Sequence, residues 1–207
     1  MFINPKTIRT IEQNMNWIIT ALIFFLIGIF AAIFVSGNEE FFLTELTESQ
    51  HEFLQEMADM IFSGSPLKGI SLLFVNNLLA SLRAMLFGIF LGLPPLMGLF
   101  TNGALLGTLV VELGRESIPA FTFISVGILP HGIFELPAFL ISASFGLKTG
   151  FHLLFPFPQK KRIESLKIVW REFFTVFPLI IFLLLIASVI EVVLTPLLVQ
   201  KLILLSG

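Results

Sequence analysis

Long apolar runs alternate with short charged connections along this chain. Five runs reach, or nearly reach, the roughly 20 residues that a helix needs to cross a bilayer. They cover residues 17–35, 69–92, 95–111, 119–147 and 173–194. In a membrane the backbone polar groups must be satisfied internally, which favours helices. The pattern therefore predicts an all-α, polytopic transmembrane helix bundle of about five spans, folded as a single membrane domain over residues 1–207.

The charges of the connections predict how the bundle is oriented. Residues 148–172 carry six bases and two acids, whereas residues 37–62 carry seven acids and no lysine or arginine. By the positive-inside rule, the basic loop 148–172 and the N-terminus are cytoplasmic, and the C-terminus lies outside a cell membrane. Apolar residues at helical spacing within the acidic segment predict an outer acidic amphipathic helix over residues 39–62.

The last apolar run is too long for one simple crossing. A helix over residues 173–205 would be about 50 Å long at 1.5 Å per residue, well over the thickness of the bilayer core. Glu191 and Pro196 offer places for it to stop. We expect the span to end near residue 194 and residues 195–207 to form an outer interfacial helix. The alternative, that residues 195–207 belong to the last span, stays open.

Composition agrees with a membrane protein and excludes several functions. Of the 207 residues, 56% are hydrophobic and 13% are charged, and the mean hydropathy is +0.98. A soluble domain has a far more polar balance. The chain has no cysteine, which excludes disulfides, thiolate metal sites and cysteine nucleophiles. A net charge of −2 without a basic patch argues against a nucleic-acid partner.

The fourth run contains a histidine and a carboxylate between two prolines, in the sequence PHGIFELP at residues 130–137. A charge at the bilayer centre costs roughly 2.5–3.5 kcal/mol on insertion scales, so His131 and Glu135 indicate a functional site or a partner charge. Proline removes a backbone donor and opens the helix ladder. We expect Pro130, Gly132 and Pro137 to break the fourth span.

Polar residues of the neighbouring runs extend the predicted site. At 1.5 Å per residue, several of them lie at similar depths. The predicted intramembrane polar site consists of Asn76, Asn77, Arg83, Asn102, His131 and Glu135. Arg83 and Glu135 are expected to form an ion pair, because neither has another opposite charge at its depth. Purely structural roles, a neutral His131 bonded to a carbonyl and Glu135 in an ion pair, remain open.

The same residues argue against catalysis and against a bound metal. His131 and Glu135 are spaced H-x-x-x-E, and no second intramembrane histidine completes a zinc site. We therefore expect no enzymatic activity, no catalytic residue, no metal and no cofactor.

Glycines spaced four residues apart predict close helix packing. They include Gly88, Gly92, Gly103, Gly107 and Gly146. Small residues at this spacing let membrane helices approach closely, within one bundle or between the two copies of a homodimer.

Together these residues resemble the stage II sporulation protein M family. The resemblance rests on Asn76-Asn77, Gly88, Gly92, Asn102-Gly103, Gly107, the PHGIFELP element and Gly146. The family resemblance implies a five-span membrane protein of about this size. The family's namesake resembles a membrane scaffold for peptidoglycan-cleaving enzymes during engulfment.

Two non-enzymatic functions follow. In the first, the protein binds or passes an ion or small polar solute, as a channel or carrier built on the broken fourth span. In the second, it is a scaffold that assembles membrane or cell-envelope proteins, and its polar groups only hold helices together. Membrane lipid surrounds the bundle in either case, and a homodimer suits both.

Overall fold

The computed structural model describes residues 4–36, 65–115 and 120–206, and the elements in these ranges are helices. Two of the helices change to π-helical hydrogen bonding over five residues, Ile124–Ile128 and Ile190–Leu194. In chain order the helices are α1 (Pro5–Gln13), α2 (Met15–Ser36), α3 (Pro66–Leu86, extended by a 3-10 turn at Phe87–Ile89), α4 (Leu93–Arg115), α5 (Ala120–Phe123), α6 (Leu129–Leu154), α7 (Arg162–Val189) and α8 (Thr195–Ser206).

Five helical stretches are long and apolar enough to cross a membrane. They are Met15–Val35, Pro66–Ile89, Leu93–Gly114, Phe121–Leu154 and Arg162–Lys201. The prediction of an all-α polytopic bundle is thereby confirmed. The predicted outer acidic helix at residues 39–62 lies outside the described residues, and the cytoplasmic placement of the N-terminus stays a prediction.

The fourth and fifth crossings are longer than the sequence predicts. Helix α6 continues to Leu154 and α7 begins at Arg162, so the connection covers residues 155–161 instead of 148–172. At the start of α7, the Glu164 carboxylate accepts a hydrogen bond of 2.9 Å from the Lys161 N–H and caps the helix. Charges assigned to a loop therefore lie within helices, among them Lys148 and Glu172. We call the end of the bundle at residues 155–161 the basic end.

The last crossing also continues beyond residue 194. The π-helical segment Ile190–Leu194 joins α7 directly to α8, and the chain remains helical past Pro196. Residues 195–206 therefore continue the last helix without a break.

Backbone contacts at glycine join the helices in two pairs. Helix α2 packs on α4, where a Cβ on Gly103 would lie 2.0 Å from the Phe25 carbonyl oxygen. Helix α3 packs on α6, where a Cβ on Gly88 would lie 2.2 Å from the Gly146 carbonyl oxygen. A side chain at these positions would force the helices apart.

The pairing also fixes the direction of α3 relative to α6. Gly88 at the end of α3 contacts Gly146, and Gly92 in the following turn contacts Gly150, so both contacts advance by four residues. The two helices are therefore parallel. Gly92 adopts φ +75° in the turn to α4, a conformation that glycine takes without strain.

Helix α6 forms the centre of the bundle, because its residues belong to both hydrophobic clusters of the core. The buried apolar residues of α7 recur at helical spacing and pack on α6 and α3. They are Val169, Phe173, Val176, Ile180 and Leu184. This packing fixes which face of α7 turns inward, and so also fixes the direction of the polar residues that precede and follow the stripe.

Candidate intramembrane cation site

Two crossings change to π-helical hydrogen bonding shortly before a proline. Pro130 follows the segment Ile124–Ile128 after one intervening residue, and Pro196 follows Ile190–Leu194 in the same way. A proline ring clashes with the carbonyl four residues earlier, and in both helices that carbonyl lies within the π-helical segment. The wider turn therefore accommodates the ring without ending the helix. Such segments occur frequently at functional sites.

The break that the sequence predicts at Pro130, Gly132 and Pro137 thus takes a different form. The chain stays helical from Phe121 to Leu154, and the irregularity precedes the prolines. Pro130 lies shortly after the π-helical segment, whose wider turn accommodates its ring inside the continuous helix. A Cβ on Gly132 would make an ordinary contact of 3.7 Å, so this position does not require glycine. Pro137 lies inside α6.

Three ionisable side chains meet beside these two segments. His131 and Glu135 lie one turn apart on α6, and Glu191 reaches them from the π-helical segment of the last crossing. One potential ligand atom from each residue lies within 4.8 Å of the other two. All three side chains are half-buried. We call this group the acidic cluster.

Thr195 connects His131 to the backbone of the last crossing. The Thr195 hydroxyl lies 3.3 Å from the Ile190 carbonyl oxygen and 3.4 Å from Nδ1 of His131. With the hydroxyl donating to the carbonyl, its oxygen can accept from the imidazole in the tautomer that carries the proton on Nδ1. In this tautomer Nε2 carries a lone pair and can bind a cation. Hydrogen bonds of this kind orient metal-ligating histidines in proteins.

In the described residues, no lysine or arginine forms an ion pair with the acidic cluster. In the part of the chain that the structure describes, the ion pair is that of Lys148 with Glu172, and neither residue belongs to the cluster. Two ionised carboxylates in a low-dielectric surrounding repel each other. A cation or protons must therefore accompany them.

Arg83 and Asn102, both predicted for the site, lie elsewhere. Arg83 is exposed, and its Nε donates to the Leu79 carbonyl oxygen at 3.2 Å. The expected ion pair between Arg83 and Glu135 is absent from the described residues. The guanidinium of Arg83 thus lies on an exposed face and bonds to the backbone of its own helix, instead of pairing with a buried carboxylate. Asn102 is also exposed, and its amide donates to the Gly98 carbonyl oxygen.

Asn76 and Asn77 are half-buried on α3 and form a polar pair. The Asn76 amide nitrogen lies 3.5 Å from the Asn77 side-chain oxygen. The Asn77 amide nitrogen and the Ser81 hydroxyl are buried, and neither has a hydrogen-bond partner in the described part of the chain. Counting back along parallel helices from the contact of Ala84 with Gly146 places Asn77 about one turn from the level of Glu135.

Sequence reasoning missed Glu191 and Thr195, because the last crossing was expected to end there. One signal could have found them. The fourth and the last crossing each carry a carboxylate five residues from a proline in an otherwise apolar run. The pairs are Pro130 with Glu135 and Glu191 with Pro196. Glu191 adds a third potential metal ligand to His131 and Glu135, the two that the H-x-x-x-E spacing contains.

A second polar group lies in the bundle at the basic end. The Lys148 ammonium donates to the Asn14 side-chain oxygen at 2.6 Å and to the Glu172 carboxylate at 2.5 Å. The Asn14 amide donates to the Thr10 carbonyl oxygen and to the same carboxylate. We call this group the Lys148 cluster. Its ammonium also lies about equally far from the rings of Phe145 and Phe157.

Comparisons with known proteins agree with the sequence resemblance. The family model of stage II sporulation protein M matches residues 21–196, most of the chain and all three residues of the acidic cluster. An uncharacterized protein of Methanocaldococcus jannaschii is 32% identical over 124 residues, which are 60% of this chain and 69% of that protein. No solved structure matches the chain.

Proposed function

The chain belongs to the stage II sporulation protein M family, and on that premise we propose that it is a non-enzymatic membrane protein that binds a small cation within the membrane and lets it cross. The acidic cluster is the proposed binding site. The observation that carries the proposal is the convergence of two carboxylates and an imidazole from two crossings, without a lysine or arginine paired to them in the described residues.

The ligand set favours a divalent cation. Two carboxylates carry the charge that a 2+ ion neutralises, and the imidazole adds a nitrogen donor. Mixed nitrogen and oxygen ligands suit ions such as Mn²⁺ and Zn²⁺, whereas Mg²⁺ prefers oxygen ligands and retains water. Water would supply the remaining ligands.

The position of the cluster also supports passage of the cation. Along the helix axis Glu135 lies about 21 Å from Phe121 and about 28 Å from Leu154, near the middle of its crossing. Irregular helix segments that present backbone carbonyls at mid-membrane are a recurrent way of building ion sites in transporters. Two such segments flank this cluster, one in each helix.

The test is a flux assay in liposomes with Mn²⁺, Mg²⁺, Na⁺, K⁺ and H⁺. We expect Mn²⁺ flux above that of empty vesicles, and a loss of at least about tenfold in Glu135→Gln and in Glu191→Gln, since each removes half of the negative charge of the site. Glu112→Gln is the matched control. Glu112 is an exposed glutamate of α4, another crossing, and its substitution should leave flux unchanged.

Binding is measured separately from passage. Mn²⁺ should raise the unfolding temperature of the purified protein, by ligand linkage, in the wild type and in Glu112→Gln but not in Glu191→Gln. Flux equal to empty vesicles for every ion, together with no Mn²⁺ effect on unfolding, would contradict the proposal. That result would favour the scaffold function, in which the cluster only joins helices.

A further inference from the structure

An apolar groove at the basic end lies beside two bases. Its volume is about 490 Å³, and it lies between the outer face of α7 and the 3-10 turn that ends α3. Ile89 forms the wall on the α3 side, and Trp170 and Phe174 form an aromatic wall on α7, with ring centroids 6.5 Å apart. We propose that this groove binds one anionic phospholipid, with its phosphate on Lys167 and Arg171.

The two bases are placed to hold one phosphate group. Lys167 and Arg171 line the groove, are exposed and lie four residues apart on α7, where Cβ atoms are about 5–6 Å apart. In the described ranges neither takes part in an ion pair. Among the residues that the structure describes, no acidic side chain lines the groove. Arginine can form a bidentate contact with phosphate, and lysine adds a point charge.

The orientation of the bases is fixed by the opposite face of α7. Val169 and Phe173 are buried in the bundle core, so the helix cannot rotate to turn its bases inward. Glu172, the neighbour of Arg171, turns to the other side and binds Lys148. The wall at Ile89 is equally fixed, because Gly88 packs directly on the backbone of Gly146.

The remaining surface of the groove fits an acyl chain. Apart from the two bases its lining is apolar or aromatic, and Ile163 and Phe174 are 68% and 56% exposed. Tryptophan is enriched where membrane and water meet, and basic pockets between membrane helices bind anionic headgroups. A free phosphate ion would leave the apolar wall exposed, and a second copy related by a twofold axis would bring four cations together.

The experiment titrates the full-length protein in detergent with phosphatidylglycerol or with phosphatidylcholine of the same acyl chains. Native mass spectrometry counts the lipids that remain bound. We expect wild type to bind phosphatidylglycerol about tenfold more tightly than phosphatidylcholine, since each base adds to the attraction. Lys167→Gln/Arg171→Gln should lose this preference. Inorganic phosphate in excess should not displace the lipid.

Lys160→Gln/Arg162→Gln is the matched control. It removes one lysine and one arginine that are exposed at the same end but do not line the groove. The control should bind phosphatidylglycerol as wild type does. The proposal is overturned by equal affinity for the two lipids, by equal losses in both double variants, by displacement with free phosphate, or by a dimer in place of the bound lipid.

Discussion

The two polar groups inside this bundle use similar residues and differ in charge balance. The Lys148 cluster places one ammonium against one carboxylate and an amide, and its donors and acceptors are satisfied by one another. The acidic cluster places two carboxylates beside an imidazole with no base paired to them in the described part of the chain. The charges of the first group balance one another, whereas the described residues leave the two carboxylates of the second group without a paired lysine or arginine.

The location of the two groups agrees with this difference. Lys148 and Asn14 are 6% and 1% exposed, and their cluster joins α6 and α7 to the junction of α1 and α2. Its members come from regular helix or from a helix end. The acidic cluster lies beside two π-helical segments, where the backbone departs from the α-helix. Regular surroundings suit a structural ion pair, and irregular ones suit a binding site.

The largest effect is expected at the centre of the Lys148 cluster. Lys148→Met leaves the Glu172 carboxylate and the Asn14 side-chain oxygen without their donor, and we expect it to lower the free energy of unfolding by about 3 kcal/mol. Unfolding of the detergent-solubilised protein, followed by circular dichroism, measures this loss. Partial exposure of the Glu172 side chain, at 25%, limits the loss to the lower part of the usual range.

The double variant Lys148→Met/Glu172→Met tests the reason for that loss. It removes both charges, so no carboxylate is left unpaired, and we expect it to be more stable than Lys148→Met alone. If the double variant loses as much as the sum of the two single variants, the cluster is not an ion pair in energetic terms. The contrast between the two polar groups would then have no basis in charge.

Glutamate-to-glutamine substitutions at Glu172 and Glu191, both on the last crossing, compare the Lys148 cluster with the acidic cluster directly. Without added divalent cation, Glu172→Gln should lower the free energy of unfolding by about 2 kcal/mol, because Lys148 loses its counter-charge. Glu191→Gln should leave that free energy unchanged or raise it, because the carboxylate it removes faces Glu135. Equal losses in both variants, by the same unfolding measurement, would contradict the proposed difference in charge balance.

Much of the fold follows from the hydropathy pattern, because membrane helices must be long and apolar. The number of crossings needs only this constraint. The ends of the helices need more. A positive charge beside an apolar run predicts a loop at Lys148, although within the helix Glu172 neutralises the ammonium and Asn14 accepts a hydrogen bond from it. Asn14 and Glu172 are 134 and 24 residues from Lys148 along the chain, so no local sequence pattern contains these residues together.

For the acidic cluster, too, the sequence predicts one part of the site and not the rest. His131 and Glu135 are one turn apart in an apolar run, and the spacing alone predicts that they act together. Their third partner could not be predicted in this way, because Glu191 depends on the last helix continuing through Pro196. Proline usually ends a helix, and only the π-helical segment before it prevents that here. The expected partner, Arg83, instead lies on an exposed face.

The smallest effect on stability is expected at Thr195, an uncharged residue that contacts His131 of the acidic cluster. Thr195→Val keeps the shape of the side chain and removes the hydroxyl between Ile190 and His131. We expect the free energy of unfolding to change by less than about 1 kcal/mol, since both hydrogen bonds are long. Mn²⁺ affinity should fall about tenfold, because the imidazole is no longer held with Nε2 free for the ion. Isothermal titration calorimetry measures that affinity.

Thr195→Ser retains the hydroxyl and should bind as wild type does, and Thr20→Val, which removes a similar backbone-bonded hydroxyl from α2, should change nothing. If the serine variant loses as much affinity as the valine variant, the methyl group and not the hydroxyl supports the site, and the hydrogen bond to His131 has no part in binding.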